Sequence, residues 1–313
     1  MTAAGVLLRG LSCSVSLLPA PAALAVGRGL GWLLGSALRY RRAEIFDTLG
    51  RCFPEKTEQE RRIVTDRMFA NLGMTLAEIL RLRRIREESV RQTITWEGSE
   101  QFHAAWARGK GVLVLAAHMG NWELMCTVAP CCGVRPFTLV AKTIRDAGVN
   151  EFIAQTRGRF GGKTLPAHNS YRACLTALRH NEVLAFVLDQ NMTYPEGIFV
   201  EFFGQPANTT PGLALLSAQS GAPVVPIFGI RRGGAQHQWI TLPPIEPPPD
   251  RKPETIRSFT QFYTRVIEDV VRAHPDQWLW LHRRWKTKPR GDMPTSSQGL
   301  RNPKKRASAD SGA

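Results

Sequence analysis

Between residues 96 and 242 the chain alternates short, β-rich apolar runs with stretches of helical pattern, and that alternation leaves few folds open. Candidate strands cover 112–116, 137–140, 183–188, 223–230 and 238–242. Helical stretches near 99–107, 121–128, 148–158, 170–179 and 212–220 separate them. Strands of this length with helices between them predict βαβ units, hence an α/β fold with a mostly parallel sheet flanked by helices. Ahead of this region, Thr57 and Glu60 form a T-x-x-E capping box that opens a helix running to about residue 82. After it, a proline-rich connector at 243–249 leads to an amphipathic helix marked by Phe259, Tyr263, Val266 and Val270.

Residues 10–27 carry no charge, and apolar character resumes from 29 to 38 after Arg28. Arg39, Arg41 and Arg42 follow at once. Three readings fit. A signal peptide would use Arg9 and an Ala23-Leu24-Ala25 cleavage site. A single tilted helix could span a bilayer. A helical hairpin turned at Pro19-Ala20-Pro21 could lie in the membrane interface, with Arg28 snorkelling. Gly27, Gly31 and Gly35 recur every fourth residue, a face that lets helices approach closely. The expected organisation is therefore a membrane anchor or interfacial hairpin over 1–42, then a catalytic domain over 43–289 with a helical lead-in over 43–95. A basic, disordered tail is expected over 290–313, where Lys304-Lys305-Arg306 stands.

The chain is 43% hydrophobic and 21% charged, which excludes a wholly disordered protein. A mean hydropathy of −0.19 excludes a polytopic membrane protein. Forty-one Lys and Arg against 26 Asp and Glu give +15, which favours anionic partners: nucleic acid, an acidic protein or an anionic membrane. Arg81, Arg83, Arg84 and Arg86 form one basic cluster, suited to steering an acidic carrier protein. No recognised nucleic-acid module accompanies the charge, so no specific nucleic acid is expected. The six cysteines form no CxxC, and the seven histidines form neither HExxH nor a Cys/His cluster, so no metal site is expected.

The chemistry gathers after the strand at 112–116, where His118-Met119-Gly120-Asn121-Trp122-Glu123 follows. The histidine leaves the carboxyl end of a buried strand, where open α/β sheets place their ligands. Glu123, across a turn, can fold back towards one imidazole nitrogen and leave the other to accept a proton from a hydroxyl. Gly120 would leave space beside the ring, and Asn121 could cap the next helix. The plainer alternative is a strand-end histidine satisfied by a backbone carbonyl.

Further runs tip the balance. Leu188-Asp189-Gln190 ends a strand, Phe202-Phe203-Gly204 precedes a helix opened by residues 209–212, and Gly221-Ala222-Pro223-Val224-Val225-Pro226 follows. Trp280-Leu281-His282-Arg283-Arg284-Trp285-Lys286-Thr287-Lys288-Pro289 closes the set. Taken in order, these runs resemble the bacterial lipid A biosynthesis acyltransferase family, related to the glycerolipid acyltransferases, over residues 6–290. The resemblance implies a glycerolipid-acyltransferase-like fold and transfer of a fatty acyl chain to a lipid hydroxyl. The donor would be an acyl carrier protein or coenzyme A thioester, as co-substrate and with no resident cofactor. It implies His118 as general base, oriented by Glu123, at the cytoplasmic face of a bacterial inner membrane. It brings Asp189 to the catalytic strand end, and Arg157, Arg159, Arg283 and Arg284 to phosphate groups of the substrate. No G-x-S-x-G elbow is present, so no covalent acyl-enzyme is expected. Asp189-Gln190-Asn191-Met192 departs from the lauroyl transferases, which have a histidine and a tyrosine-glycine turn there. The acceptor thus stays open among a lipid A precursor, a lysophospholipid and another glycolipid.

Overall fold

A computed structural model describes residues 2–290, so the expected tail lies almost wholly outside the described residues. Two helices come first, α1 (Ala3–Leu17) and α2 (Ala20–Trp32). Pro19 cannot continue α1, and its fixed φ suits the cap of α2, so the apolar stretch breaks into two helices. They are not the expected hairpin, because α1 packs on α8 and α4, and α2 packs on α4, instead of on each other. The single-helix alternative fails at this break, and no described helix is long and apolar enough to cross a membrane. The signal-peptide alternative sits poorly with the packing: Thr2 Oγ1 donates to Asp146 Oδ1 at 2.7 Å, and the backbones at Gly5 and Gly148 touch.

Helices α3 (Arg42–Cys52) and α4 (Glu58–Arg81) complete the lead-in. The capping box forms as expected: Glu60 N donates to Thr57 Oγ1 at 3.2 Å, and Thr57 N to Glu60 Oε2 at 2.7 Å. The glycine face of α2 is spent against α4 within the protein. A Cβ at Gly27 would lie 2.5 Å from the Gly73 carbonyl oxygen, and one at Gly31 would lie 2.1 Å from that of Phe69. Gly73 returns the fit, its own Cβ position being 2.0 Å from the Gly27 oxygen. Side chains on either helix would force the pair apart.

The sheet region then runs α5 (Glu87–Thr93), β1 (Ile94–Glu97), α6 (Ser99–Trp106), β2 (Val112–Ala116), α7 (Trp122–Val128), β3 (Phe137–Ala141) and α8 (Ala147–Arg157). It continues through β4 (Lys163–Pro166), α9 (Tyr171–Arg179), β5 (Val183–Val187), β6 (Ile198–Phe202), β7 (Gln205–Thr209) and α10 (Gly212–Ser220). Strands β8 (Val224–Gly233) and β9 (Gln236–Thr241) precede α11 (Pro253–Ala273). Seven strands order as β1-β9-β8-β2-β5-β3-β4, and every neighbouring pair is parallel except β8 with β9. The expected α/β fold with a mainly parallel sheet is what forms. All five residues of β2 are buried, which is why this strand reads as a continuous apolar run.

Strands β6 and β7 lie apart as a hairpin turned at Phe203-Gly204, both at positive φ. All six cysteines are free thiols. Replacing Gly31 by Ala should cost about 1–3 kcal/mol, because the new methyl meets backbone and cannot be relieved by a rotamer. Thermal melting checks this, and Gly29→Ala, where a Cβ has open space, should be at least neutral.

Candidate active site

The central pair β2 and β5 is parallel, with Ala116 opposite Val187. Both chains leave the sheet in step: Leu188 N donates to Ala116 O at 3.0 Å, and two residues past the register pair stand His118 and Asp189. His118 Nδ1 lies 2.7 Å from Asp189 Oδ1, and the His118 backbone N–H donates to Asp189 Oδ2 at 2.9 Å. The Trp278 indole N–H donates to the same Oδ2 at 2.7 Å. Burial pushes the Asp189 carboxyl up. The imidazolium charge of His118, the ring and backbone hydrogen bonds and the indole outweigh it, holding the group at about 2. A carboxylate facing Nδ1 places the proton of the neutral ring there and leaves Nε2 as acceptor. Gln190 Nε2 stands 3.2 Å from that nitrogen, and the Trp122 ring sits edge-on to the imidazole at 5.1 Å.

The partner expected for His118 was Glu123, and here the structure corrects the expectation. Both Glu123 oxygens are taken by Arg157, at 2.6 Å from Nε and 2.9 Å from Nη2, in a fork-to-fork pair. Glu123 lies in the first turn of α7 and is 4% exposed. Arg157 ends α8, so the helix that follows β3 closes over the start of the one that follows β2. Gly120 also differs from expectation. Its φ is +52°, and a Cβ would lie 2.4 Å from the Gly229 carbonyl oxygen, so it makes room for β8 and not for a ligand. Asn121 does cap α7, accepting from Leu124 N at 2.9 Å.

The segment after α11 lies across this corner. Gly120 N donates to Gln277 O at 3.0 Å, and Leu279 N to His118 O at 3.1 Å. His282 Nε2 accepts from Asn191 N at 2.8 Å. Arg284, 1% exposed, donates to the carbonyls of Gln190 and Asn208 and to Thr209 Oγ1. Burial lowers it to about 10, so it stays charged at neutral pH. It is a strut inside the fold, not the phosphate ligand expected. Arg283 is exposed and pairs with Glu44, and Arg159 donates twice to the Ile85 carbonyl. Neither lines the cavity beside His118.

That cavity encloses about 470 Å³. His118, Trp122, Gln190 and Arg157 stand on its wall, and Leu139, Phe186, Leu213 and Leu216 give it an apolar interior. Of the expected site residues, His118, Asp189, Glu123 and Arg157 thus gather at one corner, as two separate pairs. Sequence reasoning missed Trp278 and Gln190. Gln190 was legible as the neighbour of Asp189, whereas Trp278 reaches the site from 89 residues away.

Burial lowers His282 to about 4, a cost that Asp189 only partly offsets. The unfolded chain binds this proton at about 6.5 and the folded one only near 4. Stability from this group is therefore complete above pH 6.5 and lost as pH falls towards 4. Melting temperature should drop across that window, and His282→Asn should flatten the slope.

Residues 3–287 match the sequence model of a family described as Bacterial lipid A biosynthesis acyltransferase. A lipid A biosynthesis lauroyltransferase of Escherichia coli (strain K12) is 32% identical over 285 residues, 88% of each chain. Its palmitoleoyltransferase is 28% identical, again over 88% of each chain. The myristoyltransferase of the same strain is 25% identical over 84% of this chain and 81% of its own. Among solved structures, a 1-acyl-sn-glycerophosphate acyltransferase from Thermotoga maritima superposes with a TM-score of 0.37 at 14% identity. It covers 75% of this chain and 95% of that one.

Proposed function

Since the chain belongs to the bacterial lipid A biosynthesis acyltransferase family and is thus a transferase, we propose that it moves a fatty acyl chain from a thioester to a hydroxyl of a lipid A precursor, with His118 as general base. The observation that carries this reading is the Asp189–His118 hydrogen bond, which leaves Nε2 as the acceptor on the wall of an apolar cavity, where the Gln190 amide holds the place of a substrate hydroxyl. A lipid hydroxyl is a poor nucleophile at neutral pH. His118 Nε2 takes its proton as the oxygen attacks the thioester carbonyl, and the buried carboxylate stabilises the imidazolium that forms. Collapse of the tetrahedral intermediate expels the thiolate, which recovers the proton from Nε2. Oxygen–carbon bond formation and carbon–sulfur cleavage balance with no covalent acyl-enzyme. The apolar interior suits the acyl chain, and the Arg157 guanidinium, held flat by Glu123, suits anionic oxygens of either substrate.

The donor is read as an acyl carrier protein or coenzyme A thioester. The test is transfer by purified protein from an acyl thioester to a lipid A precursor, with a lysophospholipid as the competing acceptor. His118→Ala should lower kcat by about 10²–10⁴-fold, and Asp189→Asn by a similar order. The double variant should be no worse than His118→Ala alone, since both residues serve one proton transfer. Glu123→Gln should instead destabilise the protein, because it leaves Arg157 charged and unpaired in the wall. Near-normal transfer by a folded His118→Ala protein would overturn the mechanism. Faster transfer to the lysophospholipid would replace the acceptor.

The same reading puts helices α1 and α2 against the cytoplasmic face of the inner membrane. Its support is an outer surface on which Leu7, Leu30 and Trp32 are all more than half exposed. Leu7→Lys with Leu30→Lys should shift the protein from vesicle pellet to supernatant in flotation assays with little change in melting temperature. Unchanged flotation would move the contact elsewhere.

A further inference from the structure

A second cavity, of about 410 Å³, lies on the other side of α7 from the catalytic one. Leu124 faces it, whereas Trp122 and Cys126 of the same helix face the His118 cavity. Its far wall comes from the end of α1 and the start of α2, and its rim from the turn at 82–84 and the start of α5. Three guanidiniums line it. Arg81 is anchored, donating to the carbonyls of Val15 and Leu18 where α1 ends. Arg84 and Arg86 have no acidic partner among the described residues. The one carboxylate in the lining, Glu78, is already bound by Arg231, His237 and Asn121. Neighbouring Glu87 is paired with Arg91. The cavity therefore holds uncompensated positive charge over an apolar floor of Leu24, Ile85 and Leu124.

We propose that this cavity binds the phosphate-bearing headgroup of an anionic membrane lipid, distinct from the reacting substrates. Arg84 and Arg86 take the phosphate oxygens, for which a guanidinium fork is suited, and Ser89 adds a hydroxyl. The first methylenes of the lipid chains lie on Leu24 and Ile85. Two observations select an amphiphile over a free anion or a folded protein. The lining is amphipathic, and Leu17, between cavity residues Ser16 and Ala20, is 75% exposed at the break between α1 and α2. Arg84 and Arg86 are exposed at the rim and Leu24 and Leu124 are buried beneath them, an order of charge over apolar floor that matches a headgroup and its first methylenes. The shared helix α7 makes the site a neighbour of the catalytic corner without placing it in the reaction.

The test is calorimetric titration of the full chain with monomeric dihexanoyl phosphatidic acid, dihexanoyl phosphatidylcholine and inorganic phosphate. Phosphatidic acid should bind at least tenfold more tightly than either of the others. Arg84→Gln with Arg86→Gln should weaken it by about tenfold or more. Ser89→Trp, which fills the cavity and removes no charge, should do the same. Lys110→Gln with Arg179→Gln, an equal charge change at exposed positions elsewhere, should leave it intact. Undiminished binding by Ser89→Trp would overturn the proposal, as would phosphate binding as tightly as the lipid. Displacement of the lipid by acyl carrier protein in the wild type would assign the cluster to the donor instead. Should Ser89→Trp fail to fold, the arginine pair against its charge-matched control decides.

Discussion

The β2–β5 register is the constraint on which the site depends. Parallel strands that end at the same level release their next residues side by side, so Ala116 opposite Val187 delivers a histidine and a carboxylate to hydrogen-bond distance. A slip of one residue would separate them by a rise of about 3.3 Å and turn the side chains to opposite faces, and a slip of two would double the separation. The carboxylate is buried, and burial alone would neutralise it. Three N–H donors, from the His118 ring, the His118 backbone and the Trp278 indole, keep it charged. The register therefore does electrostatic as well as geometric duty.

Around this pair the helices act as braces. Helix α4 receives the glycine face of α2 on one side and reaches the turn at His118 on the other, where Thr75 Oγ1 donates to Gly120 O at 3.0 Å. Glu78, one turn further along α4, holds Asn121, and Asn121 in turn caps α7. Burial pushes Glu78 up, but the hydrogen bonds from His237 and Arg231 hold it at about 2, so this link is ionic throughout the neutral range. Helices α1 and α2 and the loop carrying His118 thus share one support, α4.

How much of this could be read from the residues follows from how local each signal is. The central strands and the helices between them were legible because apolar runs and caps act over a few residues, and Thr57 with Glu60 even announced its own hydrogen bonds. Strands β1, β4, β6 and β7 were not, being only four or five residues long, with β4 mostly exposed and none of the four an unbroken buried run. His118 and Asp189 were both visible as strand-end residues, but not as partners. Choosing between Glu123, five residues away, and Asp189, seventy-one away, requires the strand order. Arg284 misled for a related reason. An arginine in a basic run reads as surface charge, and only the fold reveals that carbonyls of two distant segments enclose it.

The segment over 277–287 also carries a timing consequence. It supplies the indole on Asp189, the bridge from Trp278 to Met119, and the guanidinium that ties Gln190 to β7. It is also synthesised after every described strand. A growing chain that ends at α11 already contains every described strand and both members of the His118–Asp189 pair. It has yet to receive the third donor to that acid and the strut behind it. Assembly of the sheet and completion of its reactive corner are therefore separate events, and translation order puts the second one last.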